Sequence, residues 1–175
     1  MLFPKELVKK AESLVNAAKT ASVKFATAES CTGGLVSALV TDISGASSVF
    51  DSGLVTYSNR AKVEHLTVPS YFMNDFGSVS RETAIAMAEG LLLVSQVDLA
   101  VSITGIAGPT GGSDEKPVGT VYMGLATKNN ITLDKHFTFA GSRDEVRLLA
   151  VEAAIDLLME GLQVLSSKKV TKRAL

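Results

Sequence analysis

One cysteine, four prolines and no tryptophan occur among the 175 residues, with seven phenylalanines and three tyrosines the only aromatics of any size. A lone cysteine closes no internal disulfide, which fits a reducing compartment and makes a cytoplasmic location the expectation. Few aromatics mean few platforms on which unpaired bases could stack. The 17 basic residues against 18 acidic ones give a net charge of −1, too little positive charge to follow a phosphate backbone. Nucleic acid is therefore not an expected partner. No apolar run approaches the ~18 residues of a membrane span, and no membrane partner is expected either. The opening MLFPKELVKKAESL carries charges where a secretory signal needs its apolar centre. The single basic cluster, Lys168, Lys169, Lys172 and Arg173, reads as a solvated end.

What is present is a globular composition, 46% hydrophobic and 20% charged, with chain enough for one core. The pattern alternates helix and strand. Leu7, Val8, Ala11, Leu14, Val15 and Ala18 recur at helical spacing and predict a helix over 4–19, with Pro4 in its tolerated first turn. Val23–Ala28 predicts a strand buried on both faces, Leu35, Val36, Leu39 and Val40 a short helix, and Val49–Tyr57 a second strand. Asn59 is expected to cap a helix carrying Ala61, Lys62, His65 and Leu66. One helical turn is expected within Pro69–Ser80, and Ser80 should cap a longer helix bearing Ala84, Ile85, Ala88, Leu91 and Leu92.

Leu99–Thr104 predicts a third strand, and the following segment to Pro117 is a loop with four glycines and two prolines. Val118–Thr127 and Ile131–Phe139 predict a hairpin turning near Asn129-Asn130, with Ile131, Leu133, Phe137 and Phe139 inward. Ser142 and Glu145 form a capping box for a last helix, with Val146, Leu149, Ala153 and Leu157 inward. Parallel βα units plus one antiparallel hairpin predict a single-domain layered α/β sandwich, its mixed, mostly parallel sheet flanked by helices. The domain is placed over 1–167 and the basic tail over 168–175.

Ligands of open α/β sheets bind beyond the C-terminal ends of strands, and three such ends carry unusual residues. Glu29-Ser30-Cys31-Thr32-Gly33-Gly34 sets a hydroxyl at a strand-to-helix junction, where outward amides can stabilise an anion. Ser30 there is either a nucleophile or a helix cap, Cys31 a rival nucleophile or a packed thiol, and Glu29 a ligand-orienting or a helix-end acid. Tyr57-Ser58-Asn59 with Lys62 brings a phenol and an amine toward the same crevice. A serine needs a base, and lysine serves only when neutral, about 0.04% of the time at its ordinary pKa near 10.4. Burial or a neighbouring cation must supply roughly 4–5 kcal/mol to bring it to about 7. The glycine-rich Thr104–Gly112 loop could admit a substrate phosphate, yet it matches neither the P-loop nor the dinucleotide fingerprint. Two histidines far apart in sequence, His65 and His136, and no ligand cluster argue for no metal and no cofactor. A histidine base for Ser30 or Cys31 would need one of these two to fold into the crevice.

Taken together, TAESCTGG (Thr27–Gly34), GLVTYSNRAK (Gly53–Lys62), GSVS (Gly77–Ser80) and ITGIAGPTGG…KPVGTVY (Ile103–Tyr122) resemble the C-terminal domain of the CinA family. The similarity runs in the same motif order from about Leu7 to Leu158. The resemblance implies a nicotinamide-nucleotide amidase, which turns nicotinamide mononucleotide into nicotinate mononucleotide and ammonia in pyridine-nucleotide recycling. It implies Ser30 as nucleophile and Tyr57 and Lys62 as its catalytic companions. Thr104 and Arg143 are implied as substrate or site-shaping contacts, and Thr32, Gly33, Gly34 and Gly105 are expected beside them. Departures from the family pattern are Thr110 and Thr67, each where glycine is expected. The expected partner is a small nucleotide, and a homodimer or larger homo-oligomer is expected by analogy with the family. Other classes are a binding member that has lost catalysis, which should lack Ser, Tyr or Lys at these positions, and a Cys31-based amidase.

Overall fold

The computed structural model describes residues 2–172, with side chains through Ser167, so the basic cluster at Lys168, Lys169, Lys172 and Arg173 lies outside the described side chains. Five strands, β1 (Phe25–Glu29), β2 (Phe50–Val55), β3 (Leu99–Gly105), β4 (Thr120–Thr127) and β5 (Thr132–Thr138), form one sheet in the order β2-β1-β3-β4-β5. β1 pairs in parallel with both β2 and β3, while β3–β4 and β4–β5 are antiparallel. Only β4 therefore runs against the rest, and the sheet is mixed and mostly parallel. Helices are α1 (Lys5–Ala21), α2 (Leu35–Thr41), α3 (Asn59–Leu66), α4 (Phe72–Asp75), α5 (Arg81–Ser95) and α6 (Arg143–Lys172).

Two faces of the sheet carry different sizes of side chain, and this sorts the helices. Phe25, Leu99, Val101, Ile103, Val121, Met123 and Leu125 point to the face covered by α1, α2 and α6, the larger core. Their burial, about 1.5–3 kcal/mol for each large apolar side chain, is the main stabilising term. Ala26, Ala28 and Ala100 alternate to the other face, where Leu66, Met87 and Leu91 of α3 and α5 meet them. Small residues there let α5 approach the sheet closely. Ser102 Oγ donates to the Ala84 carbonyl of α5, and a Cβ at Gly124 would fall 2.4 Å from that same oxygen.

Several local expectations move by a step. Ser58, not Asn59, caps α3: its Oγ accepts from the Ala61 N–H at 3.1 Å, with extended backbone at Ser58. Ser80 caps α5 through the Thr83 N–H, and the Ser142/Glu145 box forms as expected. Leu149 is 38% exposed rather than inward. α6 packs on both α1 and the sheet, so its buried stripe turns toward Ala150, Val151, Ala154, Ile155 and Leu158 and leaves Leu149 outside. The single turn within Pro69–Ser80 is α4. Thr67 ends α3 in the left-handed region at φ 54°, which explains why glycine suits that position. Thr110 has no such requirement, since the left-handed residues of its loop are Gly108 and Gly111.

Candidate active site

The chain leaves β1, builds β2 on one side of it through α2, then crosses back through α3 and α5 to build β3 on the other. The C-terminal end of β1 is thus the point where the winding reverses, the place where a crevice opens in such sheets. Parallel register sets Glu29 level with Val55 and Ile103, so Ser30, Thr56 and Thr104 follow at the same edge. Backbone hydrogen bonds extend that register by one step: Ser30 N–H donates to the Ile103 carbonyl and Thr56 N–H to the Glu29 carbonyl, both at 2.9 Å.

Ser58 then starts α3, and one turn later Lys62 points back over the strand ends. Its Nζ donates to the Thr56 carbonyl at 2.9 Å and to Ser30 Oγ at 3.2 Å, and the residue is 1% exposed. Burial lowers the Lys62 pKa, because the desolvated ammonium loses its hydration; a charged Cys31 would oppose this. Cys31 carries no such charge near neutrality. Its own burial, helped by the Glu29 carboxylate, pushes the thiol up to about 11.

Glu29 settles whether Ser30 is spent as a helix cap. It alternates to the α2 face of β1, is fully buried, and accepts from the N–H groups of Gly34, Val36 and Ser37 at 2.8–3.1 Å and from Ser37 Oγ at 2.6 Å. The carboxylate caps α2, while Gly34 at the cap position offers no side chain. Ser30 Oγ remains free to face Lys62. Left-handed Gly33 and Gly34, φ 61° and 92°, turn the strand into the helix.

A cavity of about 170 Å³ lies at this edge, walled by Ser30, Cys31, Lys62, Thr104, Gly105 and Arg143, with Tyr57 at its mouth. Lys62 and Arg143 are its charged groups, and no carboxylate lines it. Arg143, the first residue of α6, donates to the Gly108 carbonyl at 2.8 Å and to the Tyr57 hydroxyl at 3.4 Å. Thr104 Oγ1 donates to the Ser78 carbonyl at 2.7 Å, which fixes the segment that closes the remaining side. Thr32, Gly33 and Gly34 lie behind Ser30 and shape the turn rather than wall the cavity; the Gly33 and Gly34 amides are taken by Ser30 O and Glu29. His65 and His136 are exposed, the latter stacked on Tyr122 at 4.3 Å, so neither joins the site. Among the described residues no three His, Cys, Asp or Glu side chains gather as a metal would require.

Sequence reasoning missed four contributors. Ser78 and Val79 wall the cavity from the loop before α5. Lys116 ties that loop to the glycine-rich one, donating to the Val79 and Phe76 carbonyls at 2.8 and 3.0 Å. Arg147 donates to the Cys31 carbonyl through Nε at 3.1 Å and to the Thr32 carbonyl through Nη2 at 3.0 Å. The cation near GPTGG (Lys116) and the second arginine one turn into α6 were the available signals.

These features define a one-domain α/β sandwich with a serine and a buried lysine at the sheet's reversal point. The chain belongs to the CinA C-terminal domain family, whose model matches residues 7–162. It is 51% identical over 144 residues to a CinA-like protein of Geotalea uraniireducens, covering 82% of this chain and 34% of that one. To a CinA-like protein of Kosmotoga olearia it is 45% identical over 151 residues, covering 86% and 36%. The chain thus spans about a third of the length of these curated relatives. Among solved structures, the competence/damage inducible protein CihA from Agrobacterium tumefaciens superposes with a TM-score of 0.90 at 41% identity, covering 93% of this chain and 99% of that one. A CinA superfamily protein from Klebsiella pneumoniae gives 0.86 at 30% identity, covering 90% and 98%.

Proposed function

We propose that the chain is an amidohydrolase that converts nicotinamide mononucleotide and water to nicotinate mononucleotide and ammonia, a cytoplasmic step of pyridine-nucleotide recycling. The observation that carries this reading is the buried Lys62 amine facing Ser30 Oγ at 3.2 Å. With Lys62 neutral, the hydrogen bond reverses: the Ser30 hydroxyl donates its proton to Nζ as Oγ bonds to the carboxamide carbon. The carbon–nitrogen bond then breaks, and the proton passes from Lys62 to the leaving ammonia. Water attacks the resulting ester with Lys62 again as base, which frees the carboxylate and restores Ser30.

Cavity size, and the Arg143 cation beside the mouth, agree with the ring and the phosphate of this substrate. About 170 Å³ accommodates a ring carboxamide but not a whole nucleotide, so ribose and phosphate extend past Tyr57 and Arg143. Arg143 and the glycine-rich loop face the phosphate, and the Arg143 guanidinium polarises the Tyr57 hydroxyl at the rim. Purified protein incubated with nicotinamide mononucleotide should release one ammonia per nicotinate mononucleotide formed. No ammonia above a Ser30→Ala control would overturn the reading.

A further inference from the structure

We propose that Arg147 is a positioning residue that clamps the turn after Ser30 and so holds the Cys31 N–H in place as a donor to the oxyanion; this rests on the amidohydrolase reading above. Residues Ser30–Gly33 form a tight turn closed by the Gly33 N–H donating to the Ser30 carbonyl at 3.1 Å. The two central carbonyls of that turn, Cys31 and Thr32, both accept from the one guanidinium of Arg147. A trans peptide is planar with its C=O and N–H opposed. Since the Ser30 carbonyl points into the turn, the Cys31 N–H, on the same peptide, points out of it.

Cys31 walls the cavity beside Ser30, and among the described residues its N–H donates to no backbone oxygen, its one neighbouring acceptor being its own Sγ. Of the amides that follow, Thr32 N–H lies against the Cys31 sulfur, Gly33 N–H is spent on Ser30 O and Gly34 N–H on Glu29. Gly33 sits at φ 61°; the Thr32 carbonyl also accepts from the Leu35 N–H at 3.3 Å, whereas among the described residues the Cys31 carbonyl accepts from Arg147 alone. Arg147 supplies the anchor from α6, whose N-terminal residue Arg143 reaches the same cavity. Its hydrogen bonds go to backbone oxygens and its side chain does not wall the cavity, so it acts through the turn and not on substrate.

The test uses Arg147→Ala and Arg147→Lys in the full chain. Loss of one oxyanion donor costs about 100-fold or more in kcat, and both variants should lose on that order while KM for nicotinamide mononucleotide stays within about threefold. Millimolar guanidinium ion should restore part of the Arg147→Ala rate and none of the wild-type rate. A variant with wild-type kcat overturns the proposal, as does a loss that guanidinium fails to relieve in protein shown folded by circular dichroism. If Arg147→Ala does not fold, Arg147→Lys decides: kcat lost at steady KM supports the role, and unchanged kcat removes it. Failure of the underlying reading shows separately, as wild-type protein that releases no ammonia from the mononucleotide. The variants are then compared by the p-nitrophenol burst from p-nitrophenyl acetate, which reports acylation of Ser30 whatever the natural amide. A smaller burst in the variants supports the clamp, an equal burst overturns it, and no burst in wild type overturns both.

Discussion

Lys62 Nζ stands 3.2 Å from Ser30 Oγ, although 32 residues and a whole βα unit separate them in sequence. The pairing follows from register: Ser30 is one residue past β1, Thr56 one past β2, and Lys62 one turn into the helix that Ser58 caps. Only a short, unbroken connection between β2 and α3 brings the amine over the hydroxyl.

Burial of that amine has two consequences for pH. Its pKa lies below the ordinary value of about 10.4, so kcat/KM should rise as Lys62 loses its proton in the free enzyme, with an inflection below that value. Stability moves in the same direction. Between the folded and unfolded pKa values the unfolded chain binds a proton that the native state lacks, so stability grows with pH across that window. Below the folded pKa both states are protonated and the native state bears the full cost of the buried charge. Lys62→Met should therefore abolish activity yet stabilise the fold by on the order of 1 kcal/mol, most at acidic pH, with the lost hydrogen bond to Thr56 O offsetting part of the gain. Urea denaturation at several pH values measures this; a Lys62→Met protein less stable than wild type at acidic pH contradicts it.

Ser30 and Cys31 are adjacent and both reach the cavity, but it is Ser30 Oγ that Lys62 Nζ meets. With its thiol pushed up to about 11, Cys31 is ionised in on the order of one molecule in ten thousand at pH 7. Ser30→Ala should cut kcat by about ten-thousand-fold or more with little change in substrate binding. Cys31→Ala should keep most activity, and iodoacetamide at neutral pH should inactivate slowly if at all. Rapid inactivation, or an inactive but folded Cys31→Ala, transfers the nucleophile's role to the thiol.

Thr67 offers a test of the backbone alone. It closes α3 at φ 54°, exposed, with its N–H bonded to the Lys62 carbonyl. A β-branched side chain is strained there, whereas glycine is not. Thr67→Gly should stabilise by about 0.5–1 kcal/mol once the added flexibility of the unfolded chain is subtracted. A drop in thermal midpoint would show that the Thr67 side chain contributes more than its strain costs.

The alternation of helix and strand was legible because each element buries a face at its own period, as in Leu7, Ala11 and Leu14 of α1 or the inward residues of β5. Ser30 and Lys62 were legible as candidates because both sit just beyond strands, where the sheet's edge collects side chains. The choice between nucleophile and cap at Ser30 was not. It depends on Glu29 turning under α2, and a carboxylate's partner is set by packing rather than by local spacing. Arg147 and Lys116 were missed for a related reason: each acts on backbone carbonyls of a distant loop, and a carbonyl leaves no mark in sequence. Leu149 misled because α6 has two packing partners, so its apolar stripe is wider than one face.

Arg143 allows phosphate recognition to be separated from bracing. Its guanidinium spends one donor on Gly108 O and another on the Tyr57 hydroxyl, which leaves further N–H groups for an anion at the mouth. One charge-assisted hydrogen bond is worth about 1.5–3 kcal/mol, so Arg143→Ala should lower kcat/KM for nicotinamide mononucleotide by roughly 10- to 100-fold. Free nicotinamide has no phosphate to lose, and its much smaller kcat/KM should stay nearly unchanged in the variant. The ratio of the two substrates, measured by ammonia release, is the informative quantity because any general loosening of the glycine-rich loop cancels in it. A collapse of the ratio toward unity assigns Arg143 to the phosphate. Equal losses on both substrates would instead assign it to holding Gly108 and Tyr57, and the phosphate-binding role would have to move to the backbone amides of the loop.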